Sequence, residues 1–268
     1  MSILRTVGVL ALGLTPVTAS AHEFWIDPVD YSVPSGAALV ATLRVGEAFS
    51  GAEQSYLERN FARFDMQCGG ILEPVPGRSG DRPALNVGAP RDGLCVIVHQ
   101  TRDYTLTYNK WQKFVNFVEH KDFSGVLAQH AARGLPDTGI VELYSRYAKS
   151  LIAVGDGAGS DAEVGLLTEI VAEANPYTDD VTGGLPVRVL FDGAPRGDAQ
   201  VELFARPPEG KVEVTLHRTD AEGRVTLPVQ SGYTYLVDAV VLRPREAQAE
   251  KDPVWESLWA SLTFAVPE

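Results

Sequence analysis

The chain has 268 residues, 45% apolar and 22% charged, enough for one large or two modest domains with real cores. Its 35 acidic residues outnumber 23 basic ones, for a formal net charge of −12. That balance disfavours phosphate backbones, so nucleic acid is a poor candidate partner, and diffuse negative charge is first of all a route to solubility.

The first 21 residues read as a secretory signal. Arg5 precedes an uncharged stretch, Thr6 to Ala21, with an apolar centre at Val7–Leu14 and a small-x-small site at Ala19-Ser20-Ala21. The apolar run is short for a bilayer span, so cleavage after Ala21 and release into the periplasm are expected. The processed chain would begin His22-Glu23-Phe24-Trp25-Ile26-Asp27-Pro28. No later apolar run approaches membrane-spanning length.

Residues 22–109 read as an N-terminal β-sandwich region. Phe24–Ile26 is a short aromatic strand, and Leu39, Ala41, Leu43 and Val45 alternate along Ala38–Val45. Residues 69–93 are rich in Gly, Pro, Arg and Asp and are expected to form surface loop. Leu94–Val98 is apolar on both faces, as a central strand would be, and Tyr104–Tyr108 follows it. Cys68 and Cys95 are the only cysteines; in an oxidising compartment an even pair predicts one disulfide between them.

Residues 110–154 change texture. Trp111, Phe114, Val115, Phe117 and Val118 recur at helical spacing, and Phe123, Val126, Leu127 and Ala131 extend the pattern past a break near 122–125. This predicts a helical insertion over 110–133. Glu142–Val154 is ambiguous between helix in its first half and strand in its second. The Gly155–Ser160 loop lacks the Lys-Ser/Thr ending of a phosphate-binding loop.

From residue 165 to 268 short strands recur at even spacing. They are Leu166–Val171, Val187–Phe191, Gln200–Ala205, Val212–His217, Arg224–Val229, Tyr233–Leu242 and Leu258–Val266. Turn signals separate them, as in an immunoglobulin-like sandwich. The fold class expected is therefore mainly β: two immunoglobulin-like β-sandwich domains with a helical insertion between them.

Among five histidines, His22 has the clearest chemistry. As a terminal residue it would offer an amine and an imidazole nitrogen within one residue, a chelating pair for nickel or copper. His120, beside Glu119 and Asp122, is the first choice for a second nitrogen ligand, and Glu23 and Asp27 are candidate oxygen ligands. His130 is expected on an outer helix face, His217 in a cross-strand hydrogen bond, and His99 as a satisfied core or edge residue. Tyr144-Ser145-Arg146-Tyr147-Ala148-Lys149 is either an anion or partner site or a lock between the two β regions. Trp255 and Trp259 read as packing residues. No G-x-S-x-G, H-E-x-x-H or cysteine–histidine signature appears, so a binding protein is expected rather than an enzyme. A secreted copper oxygenase also starts with a histidine, but no second histidine stands here in a comparable motif.

Several stretches together resemble a known bacterial family. They are His22-Glu23-Phe24-Trp25, Tyr144 to Lys149, Glu169-Ile170-Val171 with Asn175-Pro176-Tyr177, Val189 to Pro195, Thr219 to Gly223, and the closing Trp255 to Phe264. The set resembles the periplasmic domain-of-unknown-function 4198 family, described as a nickel/cobalt transport component. The resemblance implies a periplasmic two-part β-sandwich protein that binds Ni²⁺ or Co²⁺, with Cu²⁺ as an alternative, and delivers it to a membrane metal transporter. His22 is the position carried over as a ligand. Gly193–Gly232 also resembles carboxypeptidase-regulatory-like modules, which are non-catalytic sandwiches. A non-metal interaction module is the alternative expectation.

Overall fold

The computed structural model describes residues 22–249 and 251–268. The signal-peptide reading of residues 1–21 lies outside them. The protein is mainly β, with three sheets and two short α-helices among the described residues.

In the N-terminal sheet, Ala38–Glu47 pairs with Glu23–Pro28, Ser50–Gln54 and Leu85–Gly88. The central sheet has ten strands. Its main path runs Glu213–Arg218, Gln200–Arg206, Thr234–Pro244, Trp255–Ala265, Ile140–Val154, Gly93–Thr101, Phe61–Cys68 and Ile71–Pro74. Ser32–Val33 and Tyr104–Tyr108 also pair with Ile140–Val154. The C-terminal sheet holds Thr168–Ala172, Leu185–Phe191, Ala194–Pro195 and Arg224–Leu227. One sheet thus draws strands from both β regions of the sequence, joined where Ile140–Val154 runs parallel to Trp255–Ala265.

Alternation along the central strands builds three layers. Leu94, Val96, Val98, Leu258, Ala260 and Leu262 face a core completed by the C-terminal sheet, including Ile170, Val187 and Val189. Cys95, Ile97, Ala148 and Ile152 face the other way, onto Ile26, Leu39 and Leu43 of the N-terminal sheet. Strands buried on both faces need apolar residues at consecutive positions, which explains the unbroken run Leu94–Val98.

The helices Trp111–His120 and Val126–Ala132 cover the remaining part of that second face. At ten and seven residues they are too short to be stable alone. Packing holds them: Phe117 stacks on Trp259 with ring centroids 5.8 Å apart, and Phe114 lies 6.0 Å from Trp255. Each such aromatic pair adds about 1 kcal/mol beyond its burial. The break falls at Asp122 and Gly125, whose φ angles of 52° and 78° no continuing helix accommodates.

Several expectations change. Glu142–Val154 is no helix in any part; it lies in one 15-residue strand, Ile140–Val154. Residues 69–93 are not loop throughout, since Ile71–Pro74 and Leu85–Gly88 pair with neighbouring strands. His130 is buried, not outward: its Nδ1 accepts the Trp255 indole N–H at 3.0 Å, and its Nε2 lies 3.2 Å from the Pro136 carbonyl. His217 bonds Thr215 of its own strand, 2.8 Å away, because residues two apart share a face. His99 is a core residue, but its Nδ1 has no hydrogen-bond partner among the described residues. Cys68 and Cys95 face each other across an antiparallel pair and form the disulfide.

Candidate functional site

The most heavily charged buried site lies where the first strand, the end of the first helix and two central strands meet. Glu202 and Asp238 are cross-strand neighbours on adjacent antiparallel strands. Both are buried, and two carboxylates so placed require a cation. Lys121, the residue that ends the helix Trp111–His120, supplies it. Its Nζ stands 2.9 Å from Glu202 Oε1, 2.9 Å from Asp238 Oδ2 and 3.8 Å from Glu23 Oε1. The ammonium also lies 4.9 Å from the centre of the Trp259 ring, a cation–π contact.

One ammonium cannot neutralise three buried carboxylates. Burial, with Asp238 close by, pushes the Glu23 carboxyl up to about 8, so it is largely protonated at neutral pH. Burial also raises Asp238. Burial opposes the charge on Lys121, but Asp238, Glu202 and Glu23 outweigh it and hold the amine protonated above its ordinary range. Burial works to raise Glu202 as well, but hydrogen bonding from His120 and the Lys121 charge prevail and lower it. One oxygen each of Glu23 and Asp238 finds no hydrogen-bond partner among the described residues.

Of the two sequence-predicted nitrogen ligands, His120 borders this cluster through Glu202, whereas His22 contacts Glu47, outside it. His22 is half exposed, with Nε2 3.8 Å from Glu47 Oε1. Its carbonyl accepts a hydrogen bond from Arg146 Nη2 at 3.2 Å, which ties the residue before the first strand to the central sheet. His120 is also half exposed, with Nε2 3.4 Å from Glu202 Oε1; that contact raises its pKa. Gln200 holds the His120 carbonyl at 2.8 Å. The chain neighbours of the two histidines, Glu23 and Lys121, meet through their side chains.

The predicted oxygen ligands are engaged elsewhere. Glu23 points inward at Lys121, and Asp27 is held by Arg44 at 2.8 Å and Arg206 at 3.0 Å. Glu47 is the carboxylate that faces His22. Among the described residues, no three His, Cys, Asp or Glu side chains converge as a metal-ligand cluster.

Lys121, Glu202 and Asp238 escaped the sequence reading. A signal existed for two of them: Asp238 interrupts the apolar run Tyr235–Val241, and Glu202 sits within Val201–Phe204. A carboxylate at such a position needs a buried partner. Nothing in the sequence designated Lys121 as that partner.

No curated protein matches the chain. Among solved structures, the D0-D1 domain of Intimin aligns over 91% of this chain and 97% of its own, at 14% identity and a TM-score of 0.23. The family model for a domain of unknown function, DUF4198, matches residues 19–243. The chain belongs to that family.

Proposed function

We propose that this is an exported transition-metal binding protein, carrying Ni²⁺ or Co²⁺, with Cu²⁺ as the competing cation, for a membrane metal transporter. In this reading signal cleavage after Ala21 creates the site. The observation that carries it is the approach of His22 Nε2 to Glu47 Oε1 at 3.8 Å, at a half-exposed position. Processing would add the His22 amine to that imidazole and carboxylate. A mixed nitrogen and oxygen donor set suits a borderline divalent cation. The Arg146 contact to the His22 carbonyl limits the freedom of the chain start, while His120, the candidate second nitrogen, lies against Glu202. The finer architecture that goes with this reading is a pair of immunoglobulin-like sandwiches sharing the central sheet, with the helical hairpin inserted between them.

The test is a single-residue extension. An alanine placed before His22 converts its amine to an amide, and affinity for the preferred cation should drop by orders of magnitude. Unchanged affinity would remove the terminal site from the account.

A non-metal interaction module is the second reading. The outermost central strand, Glu213–Arg218, exposes Val214 at 46% and Leu216 at 61% beside an edge that is unpaired among the described residues. Such an edge can accept a partner strand. Substituting the two candidate ligands His22 and His120 would leave that binding intact.

A further inference from the structure

A second buried charged group lies in the large core, among residues with no part in the His22 region. Lys149 shares its strand face with Tyr147 and Leu151, which both belong to the core between the central and C-terminal sheets. Its Nζ lies 2.7 Å from Asp161 Oδ1, 3.0 Å from Glu169 Oε1 and 3.0 Å from the Ala162 carbonyl. The three side chains are 1%, 0% and 2% exposed.

The surroundings of Asp161 and Glu169 are equally defined. Asp161 accepts backbone N–H bonds on both oxygens, Oδ1 from Ala162 at 2.8 Å and Oδ2 from Ala172 at 2.9 Å. Glu169 accepts from the N–H groups of Val164 and Leu166, which hold its carboxylate against Lys149. Burial raises the Asp161 pKa. An amine and a carboxyl are thus locked at contact distance in a buried site, with a second carboxylate on the amine.

We propose that Lys149 and Asp161 condense to an intramolecular isopeptide bond, with Glu169 carrying the proton. The Nζ–Cγ bond forms and the Cγ–Oδ1 bond breaks. Two of the three ammonium protons leave with Oδ1 as water, one of them by way of Glu169; the third remains on the amide nitrogen. Oδ2 becomes the amide oxygen, and the Ala172 N–H already points at it, where charge develops in the tetrahedral intermediate. No oxidant, reductant or further reactant enters. Fixed proximity replaces the entropy cost of bringing the groups together. Replacing two buried charges by one neutral amide removes their desolvation cost, which drives the step forward.

Mass spectrometry of the purified full chain, with and without disulfide reduction, tests this. The expected mass is one water below the value from sequence, with fragmentation locating the loss on a branched peptide that joins Lys149 to Asp161. Succinimides at Asp92-Gly93, Asp156-Gly157 or Asp192-Gly193 also lose water, but mild base reverses them and leaves an isopeptide intact. Asp161→Asn should release ammonia instead and converge on the same linked mass as the wild type. Glu169→Gln should retain the full mass while keeping the wild-type circular dichroism spectrum. If that variant does not fold, the wild type and Asp161→Asn pair still decides. A wild-type chain of full mass, with Lys149 recovered in an ordinary linear peptide, would overturn the proposal.

Discussion

Lys121 Nζ lies 3.8 Å from Glu23 Oε1, so the residue after His120 meets the residue after His22. This contact, with Glu202 and Asp238 each at 2.9 Å, pins the helix end to the first strand and the central sheet. Lys121→Met would leave the carboxylates buried without their ammonium. The expected cost is about 3–5 kcal/mol, the usual consequence of orphaning a buried charge. Urea unfolding of the variant beside the wild type measures it. A loss under about 1 kcal/mol would place Lys121 among ordinary surface ion pairs.

His99 gives a pH dependence with a defined sign. Its ring is enclosed by Phe24, Phe61 and Phe64, and burial lowers its pKa from 6.5 to about 3. The folded pKa is depressed, so between these values the unfolded chain binds the extra proton. The contribution is full above 6.5 and declines as pH falls toward 3, by about 5 kcal/mol across the window. His99→Phe should flatten that part of the stability curve. Parallel wild-type and variant curves between pH 4 and 6.5 would contradict the assignment.

The Cys68–Cys95 disulfide spans 27 residues of sequence and joins strands already paired in register. Replacing both cysteines by alanine should lower stability by about 2–4 kcal/mol, mainly through greater freedom of the unfolded chain. Denaturant melts of the double variant, set against the reduced and oxidised wild type, read this out.

Trp255→Phe tests how the second helix is held. The indole N–H donates to His130 Nδ1, so the substitution keeps the ring packing and leaves a buried acceptor unpaired. A cost of about 1–3 kcal/mol is expected. Hydrogen exchange should show the Val126–Ala132 helix opening more often than the central strands. Equal protection of that helix in variant and wild type would argue against a holding role for this bond.

Much of the strand layout was legible because it follows short-range rules. The seven late strands appear close to the segments marked by alternation and turn residues, from Thr168–Ala172 to Trp255–Ala265. The cysteine pair was legible from its even number. What the sequence hid was long-range. The parallel pairing of Ile140–Val154 with Trp255–Ala265 joins segments about a hundred residues apart, and no local pattern encodes that register. The same strand looked ambiguous because Glu142, Ser145 and Lys149 occupy buried positions that alternation expects to be apolar. His130 was misplaced because a seven-residue helix is too short to define its own inner face. The charge cluster around Lys121 was hidden for the same reason as the sheet register: its members come from four separate segments.

The proposed cation site depends on a free amine at His22, which processing after Ala21 would create. The decisive measurement is a competitive titration of protein beginning at His22 with nickel, cobalt and copper at neutral pH. The proposed site should give submicromolar binding at one-to-one stoichiometry, weakened as acid protonates the ligand nitrogens. Binding no tighter than that of an ordinary surface histidine, for all three cations, would contradict it.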